Sequence, residues 1–144
     1  MCEMKDIKVS ICVPVYGGEK YIANCARSLF GQTYDNIEYV FVNDCTKDRS
    51  IEVVQQVVEE FPHRKSSLKI VNHEKNSGLA ASRRTGVENA TGDYFLYIDE
   101  DDYLEQDAIS RYVACAKETG ADMVMADRYL SLDRKSGSAG MPRP

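Results

Sequence analysis

The chain has 144 residues, a mass of 16.2 kDa and a net charge of -5, with 43% hydrophobic and 28% charged residues. That length predicts a single core burying about 70% of the surface an unfolded chain exposes, and the composition excludes disordered and fibrous classes. A pI near 5.1 excludes a nucleic-acid binder, whose footprint is a basic patch.

Ile7 to Val15 is a β-branched run short enough for a buried strand, and Gly17-Gly18 after it signals a turn. From Glu19 to Phe30 the apolar residues Tyr21, Ile22, Cys25, Ala26, Leu29 and Phe30 form a helix stripe that stops at Gly31. Ile37 to Val42 reads as a second strand. Asp48 or Ser50 can cap the helix that follows, with Ile51, Val54, Val58 and Phe61 on one face and Pro62 ending it. The pattern repeats: strand at Leu68 to Val71, helix at Leu79 to Ala90, strand at Tyr94 to Ile98, helix from about Gln106 to Lys117. Met123 to Ala126 is a last short strand candidate. Strands alternating with helices predict an α/β fold, a mostly parallel sheet with helices on both faces and right-handed crossovers. The stretch 131–144 has Gly, Ser and Pro without periodicity and is expected to be an irregular end, leaving 1–130 as the domain.

Cys2, Cys12, Cys25, Cys45 and Cys115 form no C-x-x-C pair, so they read as reduced thiols rather than a zinc site or disulfide framework. No apolar run approaches the roughly 18–20 residues of a bilayer span, and Met1 to Lys8 has no apolar core of a signal peptide, so a cytoplasmic location is expected.

In such sheets ligands bind outside the carboxyl ends of the strands. Four polar clusters fall on that edge: Pro14 to Gly18, Asn43 to Asp48, Asn72 to Gly78 and Asp99 to Asp102. In the last, four adjacent carboxylates repel by about 1 kcal/mol per pair at 4 Å in water, a cost that a divalent cation reverses. Hard oxygen donors of this kind suit Mg²⁺ or Mn²⁺, and the competing reading is a solvated acidic turn at a helix start. Asp44 can accept a hydrogen bond from a nucleotide or merely turn the chain. Tyr16 can offer a ring face to a base or simply pack. Arg83 and Arg84 follow Gly78 on a helix whose N-terminus favours anions, with surface ion pairs as the alternative. His63 and His73 have no partner at metal-ligand spacing and receive no role.

Together the clusters resemble the nucleotide-sugar-binding part of a family-2-type glycosyltransferase with the GT-A fold, over nearly the whole chain to about Leu130. Five blocks in order carry the resemblance: Val9 to Tyr16, Ser28 to Tyr34, Val42 to Ser50, Asn76 to Gly86, and Ala90 to Leu104 with Asp99-Glu100-Asp101 as a D-x-D motif. It implies transfer of a sugar from a nucleotide-diphosphate donor, taken as UDP, to an acceptor hydroxyl with inversion. The GT-A sheet is expected to be incomplete at the C-terminal end. Pro14 and Tyr16 would border the base, Asp44 would accept from uracil N3, and Asn76 and Arg83 would line the nucleotide pocket. Asp99 would lie near ribose and sugar, and Asp101 would hold Mn²⁺ or Mg²⁺. The catalytic base is expected beyond Pro144. A glycan or lipid-linked sugar is the expected acceptor, in polysaccharide or glycan synthesis at the inner face of a membrane, with self-association along an open sheet edge.

Three departures stand out. Asn43 occupies the place of a first Asp, Arg84 that of an Asn, and Cys45 that of a Gly, which costs more if its φ is positive. A D-x-D-x-T phosphatase is excluded because Tyr103 stands at the hydroxyl position, and a dinucleotide oxidoreductase because no G-x-G-x-x-G follows the first strand. The non-enzymatic alternative is a module that binds nucleotide diphosphate without base or acceptor site.

Overall fold

All seven residues of β1 (Val9–Val15) are buried, as a strand covered on both faces requires. It lies at the centre of a sheet with β2 (Ile37–Asn43), β3 (Leu68–Asn72) and β4 (Tyr94–Tyr97), in the order β3-β2-β1-β4 with every pair parallel. The computed structural model describes residues 6–124; a first compact unit runs to Ser110 and a second begins at Arg111.

Side chains alternate across the sheet, so the register sorts the core into two faces. On one face Ile11 pairs with Tyr39 and Val13 with Phe41. Phe30 of α1 (Ile22–Phe30) meets the Tyr39 ring edge-on at 4.9 Å and lies 6.1 Å from the Phe41 ring. α2 (Ser50–Val58) packs beside α1 and buries Val54, Val57 and Val58. On the other face Cys12, Val40 and Val42 form a cluster joined by Val71 and Ala90. There α3 (Leu79–Glu88) comes so close that a Cβ at Gly86 would sit 3.0 Å from Cys12 Cβ. α1 and α2 thus cover one face and α3 the other, as right-handed crossovers demand.

The elements start and stop within a few residues of the expectations. α1 begins at Ile22 rather than Glu19 because the N–H groups of Tyr21 and Ile22 both bond to Gly18 O and spend those residues on a turn. α2 ends at Val58, where bonds from Glu59 to Gln56 and from Glu60 to Val57 tighten the chain ahead of Pro62, whose ring disfavours helical geometry at Phe61. A 3₁₀ turn over Pro62–Ser67, unmarked by any periodicity, follows. α4 spans Ala108–Thr119. Met123 and Val124 carry no strand, and the rest of the strand expected to Ala126, like the irregular end from 131, lies outside the described residues.

At the amino ends of the strands Glu38, only 4% exposed, accepts hydrogen bonds from Ser10 Oγ at 2.6 Å, Thr91 Oγ1 at 3.0 Å and Thr91 N–H, and pairs with Lys69 at 3.2 Å. Burial pushes its carboxyl up, but these donors outweigh burial and hold it at about 2. Because the folded-state value lies below the ordinary carboxylate value, this stabilisation is complete above about pH 4.5 and fades as pH falls towards 2. Glu38→Gln is expected to remove up to about 3 kcal/mol at pH 7 and to flatten the acid limb of stability, measured by urea unfolding from pH 7 to pH 3.

Candidate functional site

After β3 the chain crosses back over β2 and β1 to add β4, so the strand order reverses between β1 and β4. In an open parallel sheet that switch point is where a crevice forms. Pro14 helps to open it. The carbonyl of Cys12 accepts from Ile98 N–H on the β4 side at 3.0 Å, and residue 14, two further along, faces the same way. Proline has no N–H to extend that ladder, and the pairing of β1 with β4 ends at Cys12 with Tyr97. Beyond that point lies a cleft of about 490 Å³ lined by Pro14, Val15, Tyr16, Gly17, Gly18, Tyr21, Asp44, Asn76, Gly78, Leu79, Ser82, Asp99, Glu100 and Asp101.

Side chains from neighbouring loops fix its walls. Glu100 accepts the Tyr16 N–H at 3.1 Å and so ties the loop after β4 to the loop after β1. Burial, with Asp48, Asp101 and Asp99 nearby, raises the Glu100 carboxyl to about 7 against the pull of that backbone bond. Thr46 Oγ1 accepts from Gly17 N–H at 2.8 Å and donates to Asp48 at 2.6 Å. Asp48 also accepts from Glu19 N–H, Ser50 N–H and Ser50 Oγ. Burial raises its carboxyl, but these donors prevail and hold it at about 2; the cap expected of Asp48 or Ser50 falls instead on Arg49, which makes no side-chain capping bond, and Asp48 holds the turn ahead of α2.

Asp44 forms the opposite wall and is 4% exposed. Its Oδ1 accepts from Ser77 N–H at 2.7 Å and lies 2.8 Å from His73 Nδ1, while Oδ2 accepts from Gly78 N–H at 2.9 Å. Its own carbonyl accepts from Asn76 Nδ2 at 3.2 Å. Burial raises the Asp44 carboxyl, and the bonds from His73, Ser77 and Gly78 more than reverse this and hold it below the ordinary carboxylate range. The loop from Asn76 to Gly78 is thus wrapped around one carboxylate. Gly78 makes the wrap possible, because its φ of 95° would strain any other residue at the start of α3. Cys45 does carry such strain, with φ 59° and its Sγ donating to His73 O.

At the near end of the cleft Asp99, Asp101 and Asp102 each place a carboxylate oxygen within 4.8 Å of the others. Three hard oxygen donors this close fit a divalent cation such as Mg²⁺ or Mn²⁺, and Asp102 enlarges the pair read from the sequence. Arg83 stands beside the cleft rather than in its lining, 3.6 Å from Asp99 and 5.3 Å above the Tyr97 ring. Pro14, Tyr16, Asp44, Asn76, Asp99 and Asp101 all line the cleft. Sequence reasoning gave no role to two residues here: His73, which begins the loop after β3, and Ser82, a lining residue whose buried Oγ has no hydrogen-bond partner; Glu100 it read only as one of four adjacent carboxylates.

Residues 10–138 match the family described as Glycosyl transferase family 2. The chain belongs to this family. It is 37% identical over 132 residues to glycosyltransferase GlyA of Streptococcus pneumoniae serotype 4, covering 92% of this chain and 18% of GlyA. It is 36% identical to the uncharacterized glycosyltransferase EpsJ of Bacillus subtilis, covering 89% of this chain and 36% of EpsJ. Among solved structures, S. aureus TarS 1–349 in complex with UDP-GlcNAc superposes with a TM-score of 0.72 at 30% identity, over 79% of this chain and 32% of that one. The GT-A fold expected from the sequence stands, and this family-2 chain spans about a third or less of the length of these relatives. Among the described residues no helix is long and apolar enough to cross a membrane.

Proposed function

We propose that this chain is the donor-binding part of an inverting glycosyltransferase that takes a sugar from a uridine diphosphate sugar. The observation that carries the reading is the cleft itself, whose lining joins a buried acceptor carboxylate, Asp44, to Asp99 and Asp101 of the carboxylate cluster. That pairing of chemistry in one cleft suits a base at Asp44 and a cation-bound diphosphate at Asp99 to Asp102. TarS, a named poly(ribitol-phosphate) beta-N-acetylglucosaminyltransferase, was solved with UDP-GlcNAc, which supports the same donor class here.

In this reading Pro14 and Tyr16 border the base, Asn76 holds the Asp44 loop in shape, and Arg83 steadies Asp99 next to ribose and sugar. Asp101, with Asp99 and Asp102, would hold Mn²⁺ or Mg²⁺. When bound, such a cation neutralises charge developing on the departing diphosphate. Inversion also needs a base to take the proton of the acceptor hydroxyl, and that base is expected beyond Pro144. The donor-binding region covers 1–130. A glycan or lipid-linked acceptor, a role in polysaccharide synthesis and a cytoplasmic place at a membrane face belong to the same proposal. Self-association is expected along β4, an edge strand of the described sheet whose Phe95 and Tyr97 are each 37% exposed.

Base preference tests it. Uracil offers an N–H to Asp44, whereas cytosine offers a lone pair and leaves a buried group unsatisfied at about 1–3 kcal/mol, about five- to 150-fold in affinity. The wild-type chain is expected to prefer uridine diphosphate over cytidine diphosphate by that factor, and Asp44→Ala to lose most of the preference. Unchanged discrimination in the variant would move the role away from Asp44.

A further inference from the structure

Asp44 is held by more of the protein than a loop anchor needs, and one of its partners is itself held. His73 Nδ1 lies 2.8 Å from Asp44 Oδ1, and its other ring nitrogen, Nε2, lies 2.7 Å from Thr85 Oγ1 on α3. The His73 side chain is 14% exposed and does not line the cleft, so it reaches a ligand only through Asp44. An ionised carboxylate has no proton to give, which puts a proton on Nδ1, while Nε2 and the Thr85 hydroxyl hold the ring from its other side. The two oxygens of Asp44 together offer about four acceptor positions. His73 Nδ1 and Ser77 N–H fill those of Oδ1, and Gly78 N–H takes one of Oδ2. By that count one acceptor position is left, on Oδ2, in a residue that lines the cleft.

We propose that His73, oriented by Thr85, is a positioning residue that keeps Asp44 a pure acceptor toward the cleft and so restricts the nucleobase to one presenting an N–H at its pairing edge. This rests on the reading that Asp44 faces the base. Uracil N3–H and guanine N1–H satisfy the condition. Cytosine and adenine present a lone pair there and would need a protonated Asp44 as donor. Each donor to Asp44 disfavours that protonated form, and His73 is the one supplied by a side chain.

The test is calorimetric affinity for UDP and for CDP with the full chain, in wild type, His73→Leu, His73→Asn and Thr85→Val. Leucine deletes the donor, while asparagine returns an amide N–H near the place of Nδ1. The ratio of UDP to CDP affinity is expected to fall about five- to tenfold in His73→Leu, to recover most of that in His73→Asn, and to fall about twofold in Thr85→Val. A merely structural role lowers both affinities together and leaves the ratio where it was. An unchanged ratio in His73→Leu overturns the proposal, as does an equal loss in the leucine and asparagine variants. Should the leucine variant fail to fold, an unchanged ratio in Thr85→Val overturns it. A wild type that does not prefer UDP, or a preference that survives Asp44→Ala, instead overturns the base-reading role of Asp44 on which the proposal stands.

Discussion

Arg64→Ala is expected to cost about 3–5 kcal/mol, a large part of the roughly 5–15 kcal/mol that an ordinary domain has. The guanidinium is 2% exposed and its bonds run to four backbone carbonyls. Nε donates to Phe30 O at 3.1 Å, Nη1 to Asp35 O at 2.8 Å, and Nη2 to Gln32 O and Tyr34 O at 2.8 and 2.7 Å. It also lies over the Tyr39 ring at 5.8 Å. Phe30 ends α1 and the other three carbonyls belong to the connection from α1 to β2, where neither a helix nor a sheet ladder supplies donors, so removing the guanidinium leaves several acceptors with desolvation costs of about 1–3 kcal/mol each, less what water recovers. Arg64→Lys keeps the charge but loses the planar fork and should recover only part of the loss. Urea unfolding measures both, and a loss below about 1 kcal/mol for the alanine variant would show that water replaces the guanidinium freely.

The same loop holds the chain that follows the acidic cluster. The Gln32 side chain donates to Ser28 O at 3.0 Å and Glu105 O at 2.6 Å and accepts from Ile109 N–H at 3.0 Å. Ser28 Oγ in turn accepts from Leu104 N–H at 3.1 Å, and Cys25 Sγ donates to Asp99 O at 3.6 Å. One face of α1 therefore seats the chain that carries the acidic cluster. Arg64 holds Gln32 in that arrangement through the Gln32 carbonyl.

The second large effect is expected at the cluster itself. Asp99, Asp101 and Asp102 bring three carboxylate oxygens within 4.8 Å of one another, a repulsion that Arg83, 3.6 Å from Asp99, offsets in part and a divalent cation would offset further. Asp101→Asn removes one charge and one anionic ligand. Loss of an outer partner of a metal ligand already costs 10–100-fold in metal affinity, so loss of the ligand should weaken Mn²⁺ binding in the presence of UDP by on the order of 100-fold. Titration followed by electron paramagnetic resonance of free Mn²⁺ reads this directly. Mn²⁺ affinity equal to wild type would assign the cation to other groups.

The sheet and its helices were legible because each rests on a strong local pattern. The β-branched runs of β1 and β2 and the apolar stripes of α1 and α2 have the periods of their structures, and the alternation of the two fixes a parallel sheet. The wall residues from Pro14 to Asp101 were legible because a parallel sheet sends every post-strand loop to one edge. Contacts that depend on two distant loops meeting were not. His73 had no sequence neighbour to mark it, since its partners Asp44 and Thr85 lie 29 and 12 residues away. Arg64 sits in a 3₁₀ turn without periodicity, and arginine is almost never fully buried, so nothing local marked it as a core residue. Cys45 was legible only as a condition: the resemblance pointed to a glycine-like place, and φ 59° meets it.

The central claim is that this cleft holds a uridine diphosphate together with a divalent cation. Isothermal titration of UDP into the chain, once with Mn²⁺ and once with EDTA, tests it most directly. Binding in Mn²⁺ that weakens at least about tenfold in EDTA, with that difference gone in Asp101→Asn, is the predicted result. Equal affinity with cation and with chelator, or no UDP binding under either condition, would contradict it.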